Sequence, residues 1–351
     1  MKHIGTIILM MLMTVMPMKS WAAHGSEAGG ELDIPEIVLE HLADSYEWHI
    51  ATYEGKHISI PLPIIVRSSQ SGEWHVCTAH SLPAPFFFDA AHHGKIYEKM
   101  ADGTAVRPID LSITKTVAQI WIVVLVMIAI FLSCARWYKK RDEKSEAPGG
   151  FVGAMEMLVM TIHDDLIRPS VGEKHYKQYA PYLLTVFFFI LVSNLLGLIP
   201  GAANVTGNIN ITLFLAVCTM IAINLFGNKE YWKEIFWPEV PLFLKAYPVP
   251  VMPVIELFGV FTKPFALMIR LFANMMAGHA IILSFIAIIF ITCSLGGWMS
   301  YVVGGGMTVM SFAMVLFMNL LECLVAFVQA YVFTLLSAVF IGLSHPVHEH
   351  H

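Results

Sequence analysis

The sequence predicts an all-α polytopic membrane protein of about five transmembrane helices, the last two long and strongly tilted as a hairpin, behind a small N-terminal extracytoplasmic α+β region. Three observations carry this expectation. Of 351 residues, 57% are hydrophobic and 13% charged, and the mean hydropathy of +0.66 lies beyond soluble norms. Apolar tracts recur at about 116–138, 180–199, 210–227, 251–292 and 306–344, against a hydrocarbon core of roughly 30 Å. Lys and Arg gather at alternate connections, as a fixed orientation requires. No basic tract is interleaved with aromatics, so no nucleic acid is expected.

Residues 1–23, MKHIGTIILMMLMTVMPMKSWAA, have the lysine, short apolar core and small-residue end of a signal peptide cleaved after Ala22 or Ala23. An uncleaved first membrane helix is the alternative. Residues 24–110 carry five Lys/Arg and thirteen Asp/Glu, polar enough to be water-exposed. Within them, DIPEIVLEHLADSYEWHIATY has helix-like spacing after Asp33, with Pro35 near its start. HISIPLPIIVR and GEWHVCTA read as short strands, Pro61 and Pro63 marking the first as an edge. Eight of the sixteen histidines lie here, but none has the Cys or Glu spacing of a metal site, so they read as solvated. Cys77 alone excludes an internal disulfide in this region; Cys134, Cys218, Cys293 and Cys323 fall in apolar segments.

The membrane domain occupies 111–344. Its first span ends in Arg136, Lys139, Lys140 and Arg141, which places that end in the cytoplasm and 24–110 outside. The connection 145–178 opens on Pro148-Gly149-Gly150, and its FVGAMEMLVMTIHDDLI stretch is amphipathic enough to lie at the interface. The second span leads through the uncharged outer loop GAANVTGNIN to the third. Residues 228–250 mix Lys229, Lys233 and Lys245 with Glu230, Glu234 and Glu239, a cytoplasmic pattern. The last two tracts, as single helices, each extend about 60 Å. They must tilt to about 60° or break; six or seven crossings with re-entrant breaks is the alternative. Residues 345–351 form a cytoplasmic tail.

Arg270 is the last Lys or Arg of the chain, and after it the acidic residues are Glu322 and Glu349. A cation at bilayer depth costs roughly 2.5 kcal/mol or more on insertion scales and faces a protein partner or water. At about 100° per residue, Glu256, Gly259, Lys263, Ala266, Arg270, Ala273, Asn274 and Ala277 share one face, small enough for another helix to approach closely. His279 lies about 180° round and roughly 13 Å along the helix from Arg270. On the last tract Asn319, Glu322 and Gln329 share a side. Glu322 in lipid must be protonated or paired, and His279 is its candidate partner, since histidine ordinarily titrates near neutrality.

KPFALMIRLFANMMAGH at 263–279 and LLECLVAFVQAYVFTLLS at 320–337 resemble subunit a of the F-type ATP synthase membrane sector, through R-L-F-x-N-M-x-A-G and the later V-Q-A-Y. The resemblance covers about 150–344. It implies that Arg270 is the stator arginine facing the ring carboxylates of the c-subunit ring. It also implies that Asn274, His279, Glu322 and Gln329 line the proton entry half-channel, and that Glu256 belongs to the cytoplasmic exit. Asn194 in SNLLG matches a family asparagine, while Gly197 stands where some members carry an aspartate. The His279 and Glu322 residue types are exchanged in other members, which supports their pairing. The implied setting is a bacterial inner membrane, beside a b-subunit peripheral stalk, other synthase subunits and lipid. The signal peptide and the acidic outer region are not part of the common pattern.

No G-x-x-x-x-G-K-[ST] loop is present, so the chain is expected to bind no nucleotide or other cofactor and to be no enzyme by itself. A secondary transporter or antiporter would also use buried charges, but no internal duplication is visible. A membrane cytochrome would need axial ligands, and the apolar tracts hold His279 alone.

Overall fold

The computed structural model describes residues 44–53, 56–89, 94–100, 102–139, 148–199, 202–236, 251–294 and 305–345. The expected signal peptide, the basic pair Lys140 and Arg141 and the residues after His345 lie outside this set. The chain divides into two compact units: Met1–Ile122, Leu195–Val205 and Met276–Cys323 form the first, and Val123–Asn194, Thr206–Met275 and Leu324–His351 the second.

In the first unit, β1 (Glu47–Tyr53) pairs antiparallel with β2 (Lys56–Pro61). This corrects the helix expected through EWHIATY. The 3.6-residue spacing belongs to the sequence upstream, whereas Trp48, Ile50, Thr52 and Tyr53 are strand formers. The two expected strands are found, with HISIPLPIIVR divided at Leu62 into β2 and β3 (Pro63–Arg67), followed by β4 (Trp74–Thr78). β2 is an edge as expected, but β3 is the central strand of its sheet; Pro63 opens it, a position where a missing N–H is tolerated. β5 (Phe86–Asp89), β6 (Lys95–Lys99), β7 (Ala105–Val106) and β8 (Ile109–Asp110) complete two three-stranded sheets, ordered β4-β3-β8 and β5-β6-β7. Ile64, Val66, Phe86 and Ile96 form their shared core. Among the described residues this region is therefore built of strands and one short 3-10 turn.

The β region is tied directly to α1 (Lys115–Lys139). The Lys115 amide donates to the Ser45 carbonyl at 2.9 Å, and the Thr116 amide to Asp44 Oδ1 at 3.1 Å. These bonds occupy N–H groups that a helix start leaves orphaned.

The second unit is helical. α2 (Gly150–Met160) runs through a π-helical stretch, Thr161–Ile167, into α3 (Arg168–Val171). There follow α4 (Tyr176–Gly197), α5 (Ile209–Leu225) and α6 (Lys229–Phe236). Leu183, Phe187, Ile190, Leu267, Leu271 and Ile341 lie at its core. A Cβ on Gly342 would come within 2.0 Å of the Ser170 carbonyl, so only glycine lets these backbones meet.

The two long tracts are unbroken helices, α7 (Val251–Ser294, 44 residues) and α8 (Gly305–Leu343, 39 residues). At 1.5 Å per residue they measure about 66 and 58 Å. Among the described residues, four helices are long and apolar enough to cross a membrane: α1, α4, and most of α7 and α8. The fifth expected span, α5, has 17 residues, about 26 Å, and buries Thr212, Leu215, Ala216, Thr219, Ala222 and Ile223.

Candidate functional site

Within the second unit, α7 has two unlike sides. Val260, Leu267, Met268, Leu271 and Met275 are buried, spaced so that one apolar stripe enters the core. Ala266, Arg270, Ala273 and Asn274 are exposed. In a soluble helix the polar side would face water; here the same residues sit mid-tract in an apolar helix. Arg270 has no ion pair among the described residues. Lys263 is different: its Nζ lies 5.6 Å from the Phe340 ring centroid, a cation–π arrangement within the chain.

Glu256 is half-buried on α7. Its charge adds to burial in pushing the Tyr231 hydroxyl of α6 above the usual tyrosine range. Tyr231 donates to Asn224 Oδ1 at 3.2 Å. Asn194 is fully buried near the end of α4. Its Oδ1 accepts from the Thr206 hydroxyl at 2.6 Å, while its Nδ2 and the neighbouring Ser193 Oγ find no partner among the described residues. Unpaired buried polar atoms are uncommon. Gln329 is buried on α8.

In the first unit the structure joins two of the predicted residues. His279 Nδ1 lies 2.8 Å from Glu322 Oε1, with side chains 14% and 3% exposed. The approach is an ion-pair contact without hydrogen-bond alignment, and neither carboxylate oxygen has a hydrogen-bond partner among the described residues. A carboxylate in that state needs either a proton or a protonated histidine. Gly278 makes the contact feasible, because a Cβ there would lie 2.9 Å from Glu322 Oε1. Asn319 instead donates to Val315 O on its own helix at 3.1 Å.

His279 and Glu322 are thus brought together as predicted, whereas Arg270, Asn274, Glu256, Gln329 and Asn194 take their places in the second unit. Sequence reasoning missed Thr206 as the partner of Asn194, and Tyr231, bonded to Asn224, beside Glu256. NVTGN offered only a polar loop, and Tyr231 only an aromatic in an amphipathic turn.

Residues 117–342 match the family described as ATP synthase A chain, and residues 37–111 match a domain of unknown function, DUF8433. The ATP synthase subunit a of Chlorobium phaeobacteroides (strain DSM 266 / SMG 266 / 2430) is 45% identical over 247 residues, covering 69% of this chain and 67% of that protein. That of Chloroherpeton thalassium is 42% identical over 247 residues, 69% of each chain. That of Myxococcus xanthus is 37% identical over 264 residues, 74% of this chain and 80% of the other.

Proposed function

The chain belongs to the ATP synthase A chain family, and from that premise we propose that it is the non-catalytic, proton-translocating stator subunit of an F-type synthase, with Arg270 facing the carboxylates of a rotating c-subunit ring. The observation that carries the reading is the exposed side of α7. A lone guanidinium stands there among Ala266, Ala273 and Asn274 while the opposite stripe is buried. Small residues admit a close partner helix, and a cation with no counter-charge among the described residues is matched by an acid carried on another chain.

The mechanism follows from solvation. A ring carboxylate crossing lipid travels neutral, because a bare charge there is costly. Opposite Arg270 the ionised form is favoured by the nearby positive charge. A protonated carboxylate therefore cannot slip past the arginine, and two offset aqueous half-channels are kept from short-circuiting. His279 and Glu322, with Gln329 and Asn274, form the entry path, the pair passing a proton between imidazole and carboxylate. Asn194, with its unpaired amide, is a further polar station. Glu256 serves the cytoplasmic exit. The subunit spans a bacterial inner membrane with its N-terminal region outside, its C-terminus inside and α7 and α8 strongly tilted against the ring; the b-subunit stalk holds it against torque.

Disulfide formation tests the premise of contact. With a cysteine at Asn274 and cysteines scanned along the carboxylate-bearing helix of the ring subunit, oxidised membranes should yield a cross-linked product at positions near that carboxylate. Failure to cross-link anywhere along that helix, in a complex that assembles, would remove Arg270 from the ring and the reading with it.

A further inference from the structure

The sheet β4-β3-β8 buries one face and leaves the other bare. Ile64 and Val66 point into the core, so Ile65 and Arg67 point out, since side chains alternate along a strand. The register sets Arg67 opposite both Trp74 and Ile109, and Ile65 opposite Val76. Leu111, whose amide bonds Ile65 O at 2.9 Å, continues the row. The bare face is apolar: Val76 is 72% exposed, Leu111 62%, Ile109 56% and Trp74 51%. Its one charge, Arg67, is drawn aside, with Cζ 5.9 Å from the Trp74 ring centroid and Nε donating to Gly72 O at 3.0 Å. No carboxylate points from these three strands on this side, although residues 24–110 carry thirteen acidic side chains against five basic. A soluble surface of that composition has no reason to keep its acids off one sheet face.

We propose that this face rests on the bilayer surface at the N-terminal end of α1, with lipid as its occupant. The face is continuous with α1. β8 runs into α1 with four residues between Asp110 and Lys115, so Leu111 lies within about 14 Å of the helix start. Ile113 bonds Pro63 O at 3.1 Å, and Lys115 and Thr116 are held by Ser45 and Asp44, so the face cannot swing away from the helix mouth. Past that mouth, Trp121 is 60% exposed and Ile122 37%, the start of the surface that α1 turns to lipid. The apolar face is thus an extension of a lipid-facing surface. Tryptophan and an arginine drawn to its rim suit the headgroup level, where amphipathic rings settle and a guanidinium reaches water. The inference requires that α1 cross the membrane and is independent of the proton path.

Benzoylphenylalanine placed at Val76, and separately at Leu111, tests it in the assembled complex reconstituted into phosphatidylethanolamine–phosphatidylglycerol vesicles. Asp102, exposed in the β6–β7 turn, is the control site. After irradiation, mass spectrometry should find phospholipid adducts at Val76 and Leu111 and none above background at Asp102. Adducts to a second copy, to another subunit or to residues 1–43 would overturn the proposal by naming a protein occupant. So would the absence of any adduct, which leaves the face in water, or equal lipid adducts at Asp102. Two positions are used so that poor assembly of one variant leaves the other to decide.

Discussion

Two buried carboxylates in this chain are treated in opposite ways. Glu98, on β6 of the N-terminal sheets, is fully buried, yet its oxygens accept from the Ser68 hydroxyl and, at 2.6 Å, from the Ser69 amide. Ser68 Oγ in turn accepts from the amides of Gln70 and Ser71. Glu98 therefore ties the β3–β4 turn to the other sheet, with a donor on each of its oxygens. Glu322, on α8, is 4% exposed and meets only an imidazole that carries charge when protonated. The first has a fixed donor on each oxygen and is architecture. The second has no hydrogen-bond donor on either oxygen among the described residues, a costly state for mere structure and one that the proposed relay would use. Arg270 extends the series to a charge with no counter-ion among the described residues.

The largest effect should come from that end of the series. Arg270→Ala should reduce ATP-driven proton pumping in inverted vesicles to background while the complex still copurifies. Pumping at the wild-type rate would show that the bare charge has no work to do. Next come the half-satisfied acid and its partner. His279→Ala or Glu322→Ala should each cut pumping severely, and removing one member of the buried pair should also lower stability by about 3–5 kcal/mol. The exchange His279→Glu with Glu322→His should recover part of the loss; losses that merely add in the double variant would dissolve the pair. Glu98→Gln should leave pumping near normal but lower the stability of the β region by about 1–3 kcal/mol, because an amide N–H then opposes a donor. Thermal unfolding read from Trp74 in that region follows this. Equal effects of the Glu98 and Glu322 variants on both readouts would erase the distinction.

How much of this could be read before folding depended on period. Arg270 stood out because nothing else charged follows Lys263 until Glu322, and helical spacing alone put it with Ala273 and Asn274. His279 and Glu322 were legible as candidates because each was isolated in an apolar helix, although their 2.8 Å contact needed the fold. The helices themselves were visible as apolar tracts, with ends within a few residues. Glu98 was not visible, since a carboxylate in an acidic segment looks solvated until Ser68 and Ser69 are folded onto it. The bare sheet face was hidden for the same reason: Trp74, Val76, Ile109 and Leu111 become one surface only through register. EWHIATY was misread because helical spacing upstream was carried across a boundary that strand propensity set.

A pair of like groups provides the smallest and most discriminating case. His175, just before α4, faces His345 at the end of α8 with ring centroids 4.7 Å apart, and His345 Nε2 lies 3.3 Å from the Tyr179 hydroxyl. Burial, His345 and Lys174 together hold the His175 imidazole below the ordinary histidine range of about 6.5. The folded state therefore binds this proton less readily than the unfolded one, so the unfolded chain takes up more protons as the pH falls. Stability contributed here should be intact above about pH 6.5 and decline below it, the reverse of a histidine paired with an acid. His175→Gln should flatten that part of the stability-against-pH curve by a small amount and leave pumping near neutral pH untouched. If the wild-type curve instead rose on acidification through this range and the variant removed the rise, His175 would be paired with an acid, and its place opposite His279 in the comparison would be lost.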